Sequence, residues 1–215
     1  MTDLFNKCVK FTTAREAMAA GFYPYFHKIQ GGEGPEVLID GKKKIVCCSN
    51  NYLGLTMDSR VKNSAIEAIK KADGIILGPG SLYTSIIPNL LVEKISKEII
   101  ASKALKMYVC NVMTQKGETE GYKASDHLEA IVKHTAPGIV DYCIVNTAKI
   151  PDSMAERYRG EGASPVMVDT DNIKKMKCKV IEAHIITIKD YVRHDAVKLA
   201  KIAVDLIGSL KKAKA

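Results

Sequence analysis

Residues 75–92 read IILGPGSLYTSIIPNLLV, and this stretch decides the fold. A short apolar run ends at Leu77, a loop with two glycines and a proline follows, and apolar residues then return at helical spacing. This order predicts a buried strand, a tight loop and a helix, the repeating unit of a mostly parallel sheet. Because the order repeats from residue 74 onward, the sequence predicts an α/β fold with a Rossmann-like sheet and helices on both faces.

The other predicted elements follow from the apolar periodicity along the chain. Strands are expected at residues 74–77, 106–112, 142–145, 165–168 and 180–186, and helices at residues 87–102, 125–134, 153–160 and 194–210. Before them, we expect a helix at residues 3–20, a hairpin of strands 36–39 and 44–48 around Asp40-Gly41, and a helix at residues 59–72. The change near residue 73 divides the chain into an N-terminal segment, residues 1–73, and a Rossmann-type part, residues 74–215.

The composition fits a globular protein and argues against two classes of partner. Of the 215 residues, 47% are hydrophobic, and the apolar runs are much shorter than the roughly 18 residues that cross a bilayer. Since the N-terminus has no apolar signal core, we expect a cytoplasmic protein without a membrane partner. The net charge of +8 is scattered, and the chain has no Trp and only four Phe, which argues against nucleic acid as a partner.

The positions of the cysteines indicate a packing role in the core rather than metal binding or disulfide formation. They lie mostly in apolar, strand-like runs, without a C-x-x-C pair and without histidines at zinc spacing. We therefore expect reduced, buried thiols and no metal site. The six residues are Cys8, Cys47, Cys48, Cys110, Cys143 and Cys178.

The loop after Leu77 is the first candidate site. Gly78 and Gly80 have no side chains, so a ligand could approach the backbone closely at the carboxyl edge of the sheet. Four hydroxyl side chains follow between residues 81 and 85, and the N–H groups that begin the next helix suit phosphate. The chain lacks the lysine-bearing loop of ordinary nucleotide triphosphatases. The alternative is a tight turn whose hydroxyl groups cap the helix.

A second polar loop, residues 111–119 (NVMTQKGET), also follows a predicted strand. Since the carboxyl ends of parallel strands meet at one edge of a sheet, the two loops should lie side by side. Two polar loops at one edge favour a ligand site over a simple turn.

Several long motifs resemble one family. GIILGPGSLYTSIIPNLLV, KMYVCNVMTQKGETEGYKASDHLEAI, DYCIVN and VRHDAVKLAKIAVDLI occur in this order. Together they are similar to the C-terminal half of the gluconeogenesis-factor (YvcK, CofD-like) family over about residues 66–208. The resemblance implies a bacterial cytosolic protein associated with UDP-sugar binding, growth on gluconeogenic carbon sources and cell shape. The sister group of this family is the 2-phospho-L-lactate transferases of deazaflavin cofactor synthesis.

The resemblance also implies a set of ligand-binding residues. The residues on the phosphate side would be Gly78, Pro79, Gly80, Ser81, Thr84 and Asn89. Those on the facing loop would be Asn111, Thr114, Gln115 and Thr119. Arg193 could bind two oxygens of a diphosphate, since a guanidinium is a bidentate donor. Its alternative is an exposed arginine, with Asp195 as the anion at the start of the last helix. Asp126 and His127 fit a helix start better than a catalytic pair, and no catalytic residue is assigned.

Residues 1–73 depart from this family. The relatives' N-terminal turn, of the form Gly-Gly-Gly-Thr-Gly, is absent, and the glycines at residues 31–34 follow no predicted strand. Instead, AGFYPYF (residues 20–26), EGPEV (33–37), Asp40-Gly41 and SNNYLGL (49–55) resemble the N-terminal part of the α-oxoamine synthases. These are pyridoxal-phosphate enzymes, and the resemblance would place residues 50–52 near their amino-acid site. The helix at residues 65–73 would then be the join of a chimera or gene fusion.

The main hypothesis is a gluconeogenesis-factor-like protein that binds a nucleotide sugar or another phosphorylated small molecule, more as a binding protein than as an enzyme. No cofactor is expected, because the α-oxoamine synthases' aldimine lysine, cofactor aspartate and stacking histidine have no counterpart here. One alternative is an α-oxoamine synthase fragment, and another is a phosphotransferase with magnesium at Asp169 and Asp171. A third is a chimeric fold without a ligand, whose open sheet edge could pair with a second copy as a homodimer.

Overall fold

The computed structural model of the chain describes residues 12–21, 29–33, 36–47, 51–56, 58–92 and 94–214. The chain forms two compact units, residues 1–62 and 63–215. Within the described ranges, no helix is long and apolar enough to span a lipid bilayer.

The first unit contains a helix and a three-stranded antiparallel sheet. Helix α1 (Thr13–Ala19) is followed by strands β1 (Ile29–Glu33), β2 (Glu36–Ile39) and β3 (Lys42–Ile45), paired in that order. The predicted hairpin is confirmed, because Asp40 and Gly41 have φ angles of 50° and 72° between the paired residues Ile39 and Lys42. Its second strand, expected at residues 44–48, runs from Lys42 to Ile45. Strand β1 was not predicted, since its sequence IQGGE has few residues that favour strands. Residues 3–11 of the predicted first helix lie outside the described residues.

The second unit is built on a parallel sheet, as predicted. The part of helix α2 (Ser59–Lys71) from residue 63 onward belongs to this unit and precedes the sheet. The strands of the sheet are β4 (Gly74–Leu77), β5 (Leu105–Val109), β6 (Tyr142–Asn146) and β7 (Lys179–Ala183). They are hydrogen-bonded in the order β4-β5-β6-β7, and all three pairings are parallel. Their carboxyl ends therefore share one edge of the sheet.

Helices connect and cover the strands. Between β4 and β5 lie a π-helical turn (Leu82–Ile86), α3 (Ile87–Leu90) and α4 (Ile95–Ala101). The remaining helices are α5 (Ala124–His134), α6 (Asp152–Gly160), α7 (Thr170–Lys175) and α8 (Ala196–Lys214), and a hairpin of β8 (Ile186–Ile188) and β9 (Val192–His194) precedes α8.

The sheet is buried on both faces, because successive residues of β5 enter different hydrophobic clusters. Met107 and Val109 pack in one cluster with Ala203 of α8. Tyr108 packs in the other cluster with Leu128 of α5. The prediction of helices on both faces is therefore confirmed.

Two predicted elements of this unit differ from the structure. The single helix at residues 87–102 is two short helices, because Lys94 takes a left-handed conformation with φ 70°. Residues 165–168 form no strand and only make single bridges, Met113 with Pro165 and Lys123 with Met167. Proline has no N–H to donate to a ladder, so this segment ties two loops together instead of extending the sheet.

The C-terminal boundaries also differ. The strand expected at residues 180–186 ends at Ala183, and the following residues enter the β8–β9 hairpin. Helix α8 starts at Ala196 rather than at residue 194 because His194 belongs to β9. Hairpin β8–β9 and helix α7 were not predicted.

The prediction of reduced, buried cysteines is confirmed at three of the four described positions. Cys110, Cys143 and Cys178 are free and buried, whereas Cys47 is free and exposed. Cys8 and Cys48 lie outside the described residues.

Candidate functional site

A cleft of about 510 Å³ lies at the carboxyl ends of β4 and β5. Its walls are the loop after β4, the loop after β5, one residue of α6 and strand β9. This ligand cleft is lined by Pro79, Gly80, Ser81, Asn111, Val112, Met113, Thr114, Gln115, Tyr158, Val192, Arg193 and His194. The two polar loops do lie side by side, and among the described lining residues none carries a carboxylate.

The cleft brings together most, but not all, of the predicted ligand-binding residues. Those that line it are Pro79, Gly80, Ser81, Asn111, Thr114, Gln115 and Arg193. Gly78, Thr84, Asn89 and Thr119 are not among its lining residues. Thr84 and Asn89 are exposed, and the Asn89 amide donates to the carbonyl of Ser85 at 2.5 Å.

The two loop glycines are required by packing within the protein. Gly78 has a φ of +86°, and a Cβ there would lie 3.2 Å from the carbonyl oxygen of Val109. A Cβ on Gly80 would lie 3.2 Å from Cβ of Ser85. Gly78 therefore lets the loop approach strand β5, and Gly80 lets it approach the π-helical turn.

The sequence left open that hydroxyl groups after Gly80 cap the following helix. The Ser81 hydroxyl, at the capping position, does not. The Ser81 side chain makes no capping hydrogen bond, and the Ser81 carbonyl accepts from the N–H groups of Ser85 and Ile86, both at 3.0 Å. The N–H of Tyr83 instead donates to the carboxylate of Glu118 at 2.7 Å. A negative side chain thus already lies at the start of this helix.

The loop after β5 is fixed by its own threonines. Thr119 is fully buried, and its hydroxyl accepts from the N–H of Gln115 at 2.9 Å. The Thr114 hydroxyl accepts from the N–H of Ser164 at 2.8 Å, and the Thr114 N–H donates to the Ser164 carbonyl at 2.7 Å. Thr119 therefore shapes the loop from inside rather than facing a ligand.

Two amide oxygens of this loop are buried without a hydrogen-bond donor. They are Oδ1 of Asn111 and Oε1 of Gln115, and both residues line the ligand cleft. A buried acceptor without a partner is unfavourable, so a ligand N–H or O–H group would be stabilised here.

Arg193 is the cation of the cleft. It is exposed and lies on β9, not at the start of α8 as the sequence suggested. Asp195 does act as the anion at the helix start, where its carboxylate accepts from the N–H groups of Val197 and Lys198, both at 3.1 Å. Arg193 is thus exposed, which was the alternative to ligand binding, and it also lines the cleft.

Helix α6 holds the hairpin that carries Arg193. The Tyr158 hydroxyl accepts from the N–H of Val192 at 3.1 Å. Next to it, the Arg157 guanidinium lies 4.6 Å from the centre of the Tyr191 ring and donates to the carbonyl of Asp190 at 2.9 Å. Sequence reasoning missed Tyr158, because no local motif shows that α6 packs beside the cleft.

His194 is a second residue that sequence reasoning missed. Its Nε2 lies 3.1 Å from the carbonyl oxygen of Cys110, so this nitrogen carries the proton and donates. Burial lowers the pKa of His194, although the hydrogen bond to Cys110 opposes this shift. His194 is therefore a neutral part of the wall at neutral pH.

The acidic residues considered in the sequence have structural contacts. The Asp126 carboxylate accepts from the N–H of Lys123 at 2.7 Å at the start of α5, as predicted. Asp169 accepts from Ser125, from its N–H at 2.9 Å and its hydroxyl at 2.5 Å. Burial acts to raise the pKa of Asp169, but hydrogen bonds from Ser125 and Asn172 outweigh it and lower the pKa.

His127 is fully buried, with Nδ1 2.8 Å from the carbonyl oxygen of Lys123. Burial lowers its pKa, and this neutral, enclosed side chain fits the predicted helix start rather than catalysis. In the part of the chain that the structure describes, no group of three or more His, Cys, Asp or Glu residues could hold a metal ion.

Comparison with known proteins matches this architecture to one family. The family model described as 2-phospho-L-lactate transferase CofD matches residues 33–186, more than half of the chain. The gluconeogenesis factor of Bacillus subtilis is 50% identical over 143 residues, which are 66% of this chain and 45% of the relative. This chain belongs to the CofD-like gluconeogenesis-factor family.

Solved structures of the CofD-like family agree with the fold. A crystal structure of a Bacillus halodurans protein has a TM-score of 0.65 at 40% identity, over 78% of this chain and 50% of that chain. The gluconeogenesis factor of Halalkalibacterium halodurans is 46% identical over 69% of this chain and 46% of the relative. The chain thus spans about half the length of these relatives.

The family match begins earlier in the chain than the sequence motifs did. Residues 66–208 carried the resemblance, whereas the CofD model starts at residue 33. It therefore covers part of the segment that was compared with the α-oxoamine synthases. The comparisons give no support to that second resemblance or to a chimera.

Proposed function

We propose that this CofD-like chain binds a nucleotide sugar of the UDP-sugar type, or a related phosphorylated ligand, in the ligand cleft. The observation that carries the proposal is that Arg193 and the two polar loops line one cleft. The described lining residues of this cleft include no carboxylate. A guanidinium can donate two hydrogen bonds to a diphosphate, and no lining carboxylate opposes the ligand's charge.

The neutral groups of the cleft complete the proposed contacts. Ser81 offers a hydroxyl group, and Gly80 lets the ligand approach the backbone. The unpartnered amide oxygens of Asn111 and Gln115 would accept from hydroxyl or N–H groups of the ligand, which a sugar or a base supplies and a phosphate dianion does not. The phosphate would thus lie towards Arg193 and Ser81.

We infer a binding role rather than phosphoryl transfer. The matching family model is named for a transferase, but a magnesium-dependent transfer requires carboxylates near the phosphate, and the described lining residues supply none. The named relatives are gluconeogenesis factors, so we propose a role in carbon metabolism. We also propose a role in cell shape, which rests on the family resemblance alone.

Calorimetric titration with UDP-N-acetylglucosamine tests this proposal. We expect heat of binding that Arg193→Ala weakens by about tenfold or more, because a charge-assisted contact is lost, and that Ser81→Ala weakens by a few-fold. Arg159→Ala and Ser153→Ala are matched controls, since both residues are exposed on α6 and do not line the cleft. No heat at millimolar ligand, or equal affinity in all four variants, would overturn the proposal.

A further inference from the structure

A second cavity opens beside the ligand cleft, and the proposed function does not use it. It lies at the carboxyl ends of β5 and β6, between the residues that follow these two strands and the segment at residues 165–168. We call it the inner pocket. Its volume is about 290 Å³, roughly twice that of an engineered cavity of about 150 Å³ that binds benzene. It is large enough for a substituted ring.

The inner pocket adjoins the ligand cleft. Asn111 and Val112 line both spaces, so one side of each residue faces the cleft and the other faces the pocket. A ligand with its phosphate near Arg193 would therefore have to pass Asn111 and Val112 to reach the inner pocket.

The walls of the inner pocket suit an uncharged group. Much of its surface is apolar, from Ala124, Val145, Ile150, Val166 and Val168. Cys110 also lines it, and burial raises the pKa of this thiol to about 12, so the sulfur is neutral. Within the described lining residues, Lys149 is the charged side chain, and it is exposed at the mouth.

The rim of the pocket is fixed in place. The Asn146 amide donates to the carbonyl of Ala148 at 2.9 Å, and its oxygen accepts from the N–H groups of Ala148 and Ile185 at 3.2 and 3.3 Å. This side chain has partners for both ends of its amide group and holds the loop after β6. Asn111 differs, because its Oδ1 is buried without a donor at the junction of the two spaces.

We propose that the inner pocket binds the uncharged ring of the phosphorylated ligand, and that Asn111 selects rings that present an N–H or O–H donor. The inference rests on the proposed function, since the ligand's phosphate is placed in the ligand cleft. A nucleoside and a sugar both offer such a ring, and the choice between them is made by experiment.

The test compares ligands with and without a ring. Uridine 5′-diphosphate, N-acetylglucosamine 1-phosphate and pyrophosphate are titrated calorimetrically into the wild type, Asn111→Ala and Ala148→Leu. Ala148 lines the inner pocket but not the ligand cleft, so leucine fills the pocket only. Ala101→Leu is the matched control, because Ala101 is exposed at the end of α4 and lines neither space.

We expect both variants to weaken at least one ring ligand by about tenfold or more, through the lost hydrogen bond or the occupied volume. In Ala148→Leu, pyrophosphate affinity should stay within about twofold, because Ala148 does not line the ligand cleft in which the phosphate is placed. The ring ligand that loses affinity identifies the occupant.

Three outcomes would count against the inference. If the ring ligands bind equally well to wild type, Asn111→Ala and Ala148→Leu, the inference fails while the proposed function stands. If ring ligands and pyrophosphate weaken in parallel, the pocket does not recognise the ring. If no ligand binds the wild type, the proposed function fails and this inference fails with it.

Discussion

Two of the walls of the ligand cleft are built in different ways. The loop after β5 is fixed from inside, because the buried hydroxyls of Thr114 and Thr119 accept backbone N–H groups. The β8–β9 hairpin is largely exposed and is held by contacts from α6, above all Tyr158 and Arg157. The first wall should therefore contribute more to stability, and the second should be easier to shift without unfolding the protein.

The largest effect on the free energy of unfolding is expected from Thr119→Val, in the loop after β5. Valine has the shape of threonine, but at this fully buried position it leaves the partly buried N–H of Gln115 without its acceptor. We expect a loss of about 1–3 kcal/mol in the free energy of unfolding, measured by urea denaturation. Thr187→Val on the exposed face of β8 is the control and should be nearly neutral. An equal cost in the two variants would show that the interior hydroxyl does not fix the loop.

The two hairpins of the chain show how far the sequence predicts the fold. The β2–β3 hairpin was predicted because Asp40-Gly41 is a local turn signal that requires positive φ angles. The β8–β9 hairpin turns at residues 189–191 (Lys-Asp-Tyr), which carry no comparable signal, and its position depends on contacts with α6. The strand expected at residues 165–168 had the right apolar pattern, but its partners are loops rather than a strand.

In the candidate site too, local sequence predicts some residues and misses those that depend on contacts distant in sequence. Both polar loops were predicted from the chain, because parallel strands bring their carboxyl ends to one edge. Tyr158 and His194 were missed, since each reaches the cleft through a contact distant in sequence, with Val192 and with Cys110. Thr119 was predicted at the ligand but is fully buried inside its loop, and local sequence does not show that its hydroxyl accepts from the N–H of Gln115.

A smaller effect is expected from Tyr158→Phe, which acts on the hairpin wall. The change removes the acceptor of the Val192 N–H and should cost about 0.5–1.5 kcal/mol in the free energy of unfolding. Because the hairpin carries Arg193, pyrophosphate affinity should fall in parallel with little change in the circular dichroism spectrum.

Tyr142→Phe is the control for this variant, since the Tyr142 hydroxyl lies 3.4 Å from the exposed ammonium of Lys179 on β7. If Tyr158→Phe lowers stability but leaves the affinity for pyrophosphate unchanged, α6 supports the fold without positioning Arg193.

The smallest effect on the cleft is expected at Glu118, where the loop after β5 contacts the loop after β4. Its carboxylate accepts from the N–H of Tyr83 at the start of the helical segment that follows Ser81. Glu118→Gln keeps an acceptor oxygen for this N–H but removes a negative charge near the proposed phosphate position. We expect pyrophosphate affinity to rise by about twofold to fivefold at low ionic strength, the size of a helix-start charge effect.

Salt dependence makes this prediction specific. The gain in Glu118→Gln should shrink as ionic strength rises, because added salt screens the interaction between an anion and a partly exposed carboxylate. Glu129→Gln, on the exposed face of α5, is the matched control for a lost charge and should leave affinity unchanged. If Glu118→Gln lowers pyrophosphate affinity instead, the carboxylate is needed to hold the two loops together, and this contact matters for the shape of the cleft more than for its charge.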